Sequence, residues 1–386
     1  MVQTVIECGK VSLIKKQETL CGDSSHIVRE KNRLTAVLSD GLGSGVKANI
    51  LATLTSTILA TLLSHKLPVE ECVYTVASTL PMCRERKLAY STFTAVQIED
   101  DIAHLVQYDN PMAILLRRGK NRPYSSSRTF VENKEVYEST IHLEEGDMLI
   151  LMSDGMTAAG LGKTNTSGWS RDEIAQLAER LYEPDMAPQR MAALLVNAAF
   201  SLCLEENDDD TSAMVLAVRG RRAANIMVGP PENRDEDNKI LRLFFAKEGR
   251  HIVCGGTTAS TVSKFLGKPS VLLSDTATEE VPAISRMEGT DLVTEGVITL
   301  QQLVKFGNSY LENPMLSLEL THRRDGVAAL ARYLFEEATD ITIYFGRAVN
   351  EAHQGLDIEF AEKLKAVEAL EQLLIKAGKN VKISVC

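Results

Sequence analysis

Apolar positions along the chain switch between two periods, and the switches mark the elements. Residues 2–11 and 33–39 (RLTAVLS) hold short runs of β-branched and aliphatic side chains and predict two strands, separated by a turn at Cys21-Gly22-Asp23-Ser24. From Val46 onward the period lengthens: Val46, Ile50, Leu54, Ile58 and Leu62 recur four apart, which predicts a long helix buried on that face, with Thr53, Thr57 and Ser64 opposite. Residues 90–99 (YSTFTAVQIE), 102–109 and 113–118 predict a meander turning at Asp100-Asp101 and Asn110-Pro111. Two wholly apolar runs, 148–152 and 213–218, predict central strands; the first ends in Ser153-Asp154-Gly155 and the second follows an acidic cluster. Between them residues 171–206 predict helix, broken near 183–187 by Pro184 and Pro188.

Strands, a long helix, strands again and then helices predict an α+β layered sandwich rather than an alternating chain. A strand ends near Gly220, and residues 229–238 (GPPENRDEDN) are proline-rich and charged, so a boundary is expected there, dividing a domain of residues 1–219 from one of 220–386. The second reads as an α/β unit. Its clearest pieces are a strand at 251–254, a Gly255-Gly256-Thr257-Thr258 turn, a helix at 259–265, a strand at 341–345 and a helix around 359–377.

Composition narrows the classes. The chain has 386 residues, 44% hydrophobic and 24% charged, enough to bury two ordinary cores. Its 52 acidic against 42 basic residues leave a formal charge of -10, which argues against sequence-independent nucleic-acid binding, where cations must displace counterions. Seven scattered cysteines (Cys8, Cys21, Cys72, Cys83, Cys203, Cys254 and Cys386) include no CxxC pair and cannot all pair internally, so a reducing interior is expected. No run is read as the ~20 apolar residues of a membrane span, and MVQTVIECGK lacks the blocks of a signal peptide, so the expectation is a cytoplasmic protein without a membrane partner.

Four acidic clusters carry the candidate chemistry: Gly22-Asp23-Ser24, Ser39-Asp40-Gly41-Leu42-Gly43-Ser44-Gly45, Ser153-Asp154-Gly155 and Asn207-Asp208-Asp209-Asp210-Thr211-Ser212. A lone Asp-Gly is more often a turn than a ligand. Here both Asp-Gly pairs end apolar runs, and the aspartate triplet precedes another, so several strand ends deliver short carboxylates where the core opens. Hard divalent cations such as Mg²⁺ and Mn²⁺ take such oxygens, and three converging strand ends suffice for a two-metal site.

In order and at their spacing, GDS, SDGLGSG followed by a long helix, LILMSDG and DDDTS resemble the stage II sporulation protein E-like phosphatases of the PPM, or protein phosphatase 2C-like, class, over roughly residues 5–219. The resemblance implies a β-sandwich flanked by helices (αββα) and a metal-dependent protein serine/threonine phosphatase that uses two Mn²⁺ or Mg²⁺ ions. Asp40 would bridge the two ions, Gly41 would offer its carbonyl to one, Asp154 and Asp209 would complete the shell of the other, and Asp23 would act through water. Asp208 and Asp210 stand as alternatives to Asp209. A bridging water would attack phosphorus in line, with no phosphoenzyme and no cysteine nucleophile. The implied partner is a phosphoprotein, in the sporulation-type relatives an anti-sigma factor antagonist.

The chain departs from the eukaryotic members in having Leu42 where they have the histidine of DGHG, and Gly22 where a glutamate precedes the first aspartate. The leaving-group acid and the phosphate-holding arginine are therefore unassigned, with Lys15 and Lys16 as candidates beside the plainer reading of a solvated pair.

Gly43-Ser44-Gly45 lacks the Walker lysine pattern and is read as a tight turn beside the metal. Gly255, Gly256, Thr257 and Thr258 are candidates for an anion or small ligand, against a plain turn with a threonine cap. Residues 291–296 (DLVTEG) and 344–347 (YFGR) are candidates for the same pocket or ordinary loops. His251 and His353 have no partner at metal-ligand spacing. For the second domain, regulation, substrate docking and homodimerisation are all open. The competing readings of the whole are a non-catalytic signalling module on the same fold and a hydrolase of small phosphate esters.

Overall fold

The computed structural model describes residues 4–30, 32–79, 91–131, 134–231, 237–313, 315–320, 322–347 and 356–386. Tyr90, Cys83, His353 and residues 232–236 of the charged linker lie outside them. The chain divides into two units, Ile6–Arg219 and Gly220–Cys386, with Thr4 and Val5 counted to the latter.

In the first unit β1 (Thr4–Leu13) is followed by β2 (Asp23–Glu30), β3 (Arg33–Gly41), α1 (Gly45–Ser64) and α2 (Val69–Thr79). A meander of β4 (Ser91–Glu99), β5 (Ile102–Tyr108), β6 (Ile114–Arg117) and β7 (Lys120–Arg122) comes next. The hairpin β8 (Ser127–Val131) and β9 (Lys134–His142) leads to β10 (Asp147–Met152), α3 (Asp154–Ala158), α4 (Arg171–Leu181), α5 (Pro188–Leu202) and β11 (Thr211–Gly220). The strands form two sheets, five strands in the order β1-β11-β10-β6-β7 and six in the order β2-β3-β4-β5-β9-β8. Leu34, Ala36, Leu38, Val96 and Leu105 of one sheet meet Leu115, Leu149, Leu151, Met214 and Leu216 of the other in one buried cluster. The outer face of the six-stranded sheet buries Val37, Phe93, Ala95 and Val106 beneath Leu59, Leu63, Val73 and Val76 of α1 and α2, while α4 lies against β6 and β7 of the other sheet. This is an α+β sandwich with helices on both outer faces.

The long helix forms where expected, but it turns the other way. Gly45, Ala48, Ala52, Thr55, Ser56, Leu59, Ala60 and Leu63 are buried, whereas Val46, Ile50 and Leu54 are 56%, 49% and 39% exposed. The reason is close approach. A Cβ on Gly41 would stand 2.0 Å from the carbonyl oxygen of Ala48, so only small residues fit the face that meets the end of β3. By length and mean hydropathy α1 is also apolar enough to cross a membrane, contrary to the sequence expectation; here it packs on β2, β3 and β4.

The second unit runs β12 (Ala223–Val228), α6 (Asp237–Phe245), β13 (Arg250–Cys254), α7 (Gly256–Leu266), β14 (Val271–Leu273), β15 (Ile284–Arg286) and β16 (Leu292–Thr294). Then come α8 (Val297–Glu312), α9 (Leu316–Glu319), α10 (Gly326–Ala331), β17 (Asp340–Phe345), α11 (Leu356–Lys376) and β18 (Asn380–Val385). Its seven-stranded sheet has the order β14-β15-β16-β13-β12-β17-β18. The strands from β16 to β18 pair in parallel, and β14 and β15 add an antiparallel edge. In chain order the parallel strands lie 3-2-1-4-5, a doubly wound sheet. One face packs against α8, α10 and α11, through Leu300, Leu303, Leu330 and Leu370. The other packs against α6 and α7, through Leu241, Phe244 and Val262. The stretch read as a glycine-threonine turn is mostly helix: Gly256, Thr257 and Thr258 are the first turn of α7, which starts three residues earlier than the pattern suggested. Within the 291–296 stretch, Leu292–Thr294 is a strand rather than loop.

Gly41→Ala is expected to destabilise the first unit by about 1–3 kcal/mol, the usual cost of overpacking, or roughly 3–10 °C in melting temperature. Calorimetry checks this; an unchanged transition would mean that α1 is not seated on β3.

Candidate metal centre

Backbone pairing places the first two carboxylates. In the antiparallel β2–β3 ladder Asp23 is the direct partner of Asp40, and Asp40 is in turn the partner of Thr92 on β4. Directly opposed residues share a face of the sheet, so two like charges stand side by side, which is destabilising in itself. The neighbourhood is then locked by polar bonds. The Ser91 hydroxyl donates to the Asp40 carbonyl at 2.7 Å, Ser39 Oγ lies 2.6 Å from Ser91 Oγ, and the Gly41 N–H donates to the Gly22 carbonyl at 3.1 Å. Glu18 accepts from the Ser44 hydroxyl at 2.8 Å and lies against Gly45, whose φ of +63° suits a residue without a Cβ. The sequence reading passed over Glu18 and Ser91, because a lone acid and a lone serine carry no pattern.

The other sheet supplies the rest. Asp154 opens α3 straight after β10, where the Ser153 hydroxyl accepts the Ser212 N–H at 2.9 Å and ties the end of β10 to the start of β11. The aspartate triplet just before β11 separates by role. Asp208 is exposed and pairs with Lys163 at 2.7 Å. Asp210 is buried, accepts the Lys15 N–H at 3.0 Å and packs against Gly22. Asp209 is half-buried, 3.5 Å from the Lys15 ammonium; its charge acts on Asp40, and that of Asp154 acts on it. Among the three, Asp209 is the one that faces the other acids without a backbone bond from another element. Lys15 reaches the cluster; Lys16 instead pairs with Glu206 at 2.6 Å.

The electrostatics follow from burial and crowding. Both oxygens of Asp23 are buried without a hydrogen-bond partner. Burial, and then the charges of Asp210 and Asp154, push its carboxyl up to about 7. Ser153 and Ser212 lie near enough to offset part of this but not in bonding geometry; the Ser212 hydroxyl goes to Ser12. Asp40 is pushed up to about 9 by burial and by the charges of Asp23, Asp154 and Asp209. Asp209 is raised as well, by burial first, with Lys15 pulling the other way. Among the described residues no three His, Cys, Asp or Glu side chains close into a finished cage. The donor set nevertheless fits a hard divalent cation: carboxylate oxygens from both sheets, one pair of them orphaned in the interior, with Asp23, Asp40 and Asp209 all raised by burial and by neighbouring acids.

Gly255–Thr258 lies in the second unit, where Gly256, but not Gly255, Thr257 or Thr258, lines a cavity together with Thr294 and Glu295. His251 is structural, within 3.0 Å of the Phe244 carbonyl and packed against Phe244 and Phe245.

Residues 30–219 match the family model of stage II sporulation protein E (SpoIIE). This similarity runs from the end of β2 to the end of the first unit. Among solved structures, the PP2C phosphatase domain with a fragment of the regulatory domain of SpoIIE from Bacillus subtilis is 20% identical with a TM-score of 0.49, covering 56% of this chain and 64% of that one. The RsbU and RsbW domains of a Mycobacterium tuberculosis protein are 18% identical with a TM-score of 0.46, covering 63% and 67%. A serine/threonine phosphatase of S. agalactiae is 16% identical with a TM-score of 0.40, covering 55% and 99%. No curated protein sequence matches the chain.

A carboxyl raised in the folded state favours folding while protonated. That contribution is present below the unfolded value near 4 and is lost as pH rises through about 7 and about 9, the folded values of Asp23 and Asp40. In chelator, the melting temperature of the wild type should therefore fall relative to Asp40→Asn between pH 5 and pH 9. Parallel curves for the two proteins would mean that Asp40 is not crowded by the other acids.

Proposed function

We propose that the first unit is a metal-dependent protein serine/threonine phosphatase, with Asp23, Asp40, Gly41, Asp154 and Asp209 as its metal-binding residues. The observation that carries this reading is the gathering of four aspartates from the facing ends of two sheets, where their charges oppose folding unless a cation joins them. Two divalent cations, Mn²⁺ or Mg²⁺, would when bound polarise the phosphoryl oxygens and acidify a water.

The chain's own residues do the rest. Asp40, paired with Asp23 on its sheet and within the electrostatic reach of Asp154 and Asp209, would hold the cations together with them. Gly41 keeps the backbone beside it low, because a side chain there would strike α1. Lys15, whose ammonium lies 3.5 Å from Asp209, would offset phosphoryl charge. Three of the described cysteines are held as thiols: burial pushes Cys8 and Cys72 up to about 11, and Cys21 is raised further by burial and by Asp23 and Asp210. We further propose a phosphorylated regulatory protein, of the anti-sigma factor antagonist kind, as the substrate, and a cytoplasmic location.

Phosphate release from a phosphoserine protein should require Mn²⁺ or Mg²⁺, stop on chelation and survive thiol alkylation. Asp40→Asn should lower kcat by more than about 100-fold, since even an outer-shell defect at a metal site costs up to that much. Undiminished turnover in Asp40→Asn would overturn the assignment. Metal binding without release from any phosphoprotein or aryl phosphate would favour a non-catalytic module on this fold.

A further inference from the structure

The turn at Asn110-Pro111 carries the chain from one sheet of the first unit to the other, and it does so beside the acids. β5 belongs to the six-stranded sheet that holds Asp23 and Asp40, and β6 to the five-stranded sheet whose strand β10 runs into Asp154. Asp109, at φ +54°, turns the chain between them. On the β5 side, Asn110 Oδ1 accepts the Thr92 hydroxyl at 2.5 Å, and Thr92 is the direct register partner of Asp40. Directly opposed residues share a face of a sheet, so the Thr92 hydroxyl and the Asp40 carboxyl point the same way. On the β6 side, Ile114 pairs with Ile150, and Asn110 and Asp154 stand at the same remove from that pair, toward the same end of the sheet.

The turn is clamped by other residues. The Arg171 guanidinium donates to the Met112 and Ala113 carbonyls at 3.0 and 2.9 Å, and the Tyr124 hydroxyl donates to the Ala113 carbonyl at 2.8 Å. Asn110 is 9% exposed, and its amide nitrogen is buried without a hydrogen-bond partner. An amide held by its oxygen while its N–H groups stay idle is costly in an interior and calls for a reason. Turn building accounts for the Thr92 bond but not for the idle donor. The neighbourhood has the complementary lack: Asp23, the register partner of Asp40 on its other side, has two buried oxygens without a donor. A carboxylate that ligates a cation keeps lone pairs open, and metal sites fill these with donors behind the ligand.

We propose that Asn110 is a positioning residue of the metal centre, donating its amide N–H to the Asp40 carboxylate when cations bind, with Thr92 fixing which way the amide faces. The inference rests on the metal-centre reading of the first unit. An amide suits the place because it donates without adding charge. A carboxylate there would join four aspartates in repulsion, and an ammonium would compete with the cations. By engaging the amide oxygen, the Thr92 hydroxyl leaves only N–H groups to face the acids.

The test is a double-mutant cycle on the full chain, read by Mn²⁺ uptake in electron paramagnetic resonance and by melting temperature in chelator. Asn110→Ala should weaken Mn²⁺ binding by about 10-fold or more. Its melting temperature in chelator should hold, because the Arg171 and Tyr124 bonds keep the turn. Thr92→Val, nearly isosteric, should weaken Mn²⁺ about 3-fold, and the double variant should bind as Asn110→Ala does, since Thr92 acts only through the amide. Wild-type affinity in Asn110→Ala, or losses that multiply in the double variant, would overturn the inference and leave the metal centre standing. If Asn110→Ala fails to fold, Thr92→Val decides alone, and unchanged affinity there overturns it. No Mn²⁺ uptake by the wild type would instead remove the metal centre, and this role of Asn110 with it.

Discussion

The organising constraint of the first unit is repulsion among aspartates that the backbone does not allow to separate. Asp23 and Asp40 are register partners on adjacent strands, and the Ser153–Ser212 bonds hold the ends of β10 and β11, with Asp154 and Asp209, across from them. Each carboxylate could lower its energy by moving away, and each is held by a ladder or a buried hydroxyl. The fold stores this unfavourable charge at one place and offsets it with hydrophobic burial elsewhere, in the core between the sheets. Under the proposed reading, bound cations would offset this repulsion.

The small residues of α1 serve the same end. Gly41, Gly45, Ala48 and Ala52 let the helix start directly after the Asp40 turn and lie low over it. Larger residues would lift the helix and loosen the turn, and with it the spacing of Asp23 and Asp40. This is why the buried face of α1 is its small-residue face and why Val46, Ile50 and Leu54 point outward.

Much of the first unit was legible in the sequence. Apolar runs ending in Asp-Gly mark strands that stop where the core opens, and their order matches the sandwich. What failed was the choice of helix face, because periodicity ranks side chains by hydrophobicity while the backbone of β3 selected them by volume. Glu18, Ser91 and the division of labour among Asp208, Asp209 and Asp210 depend on partners up to 195 residues apart, which no local pattern carries. In the second unit the short edge strands β14 and β15 and the strand order were hidden for the same reason.

That these carboxylates form one cation site is tested directly by titrating Mn²⁺ into the full chain while following the free-ion signal by electron paramagnetic resonance. Two ions should disappear from solution per chain, and Asp40→Asn should take up fewer, with weaker affinity. Free Mn²⁺ rising from the first addition, or identical uptake by wild type and Asp40→Asn, would contradict it.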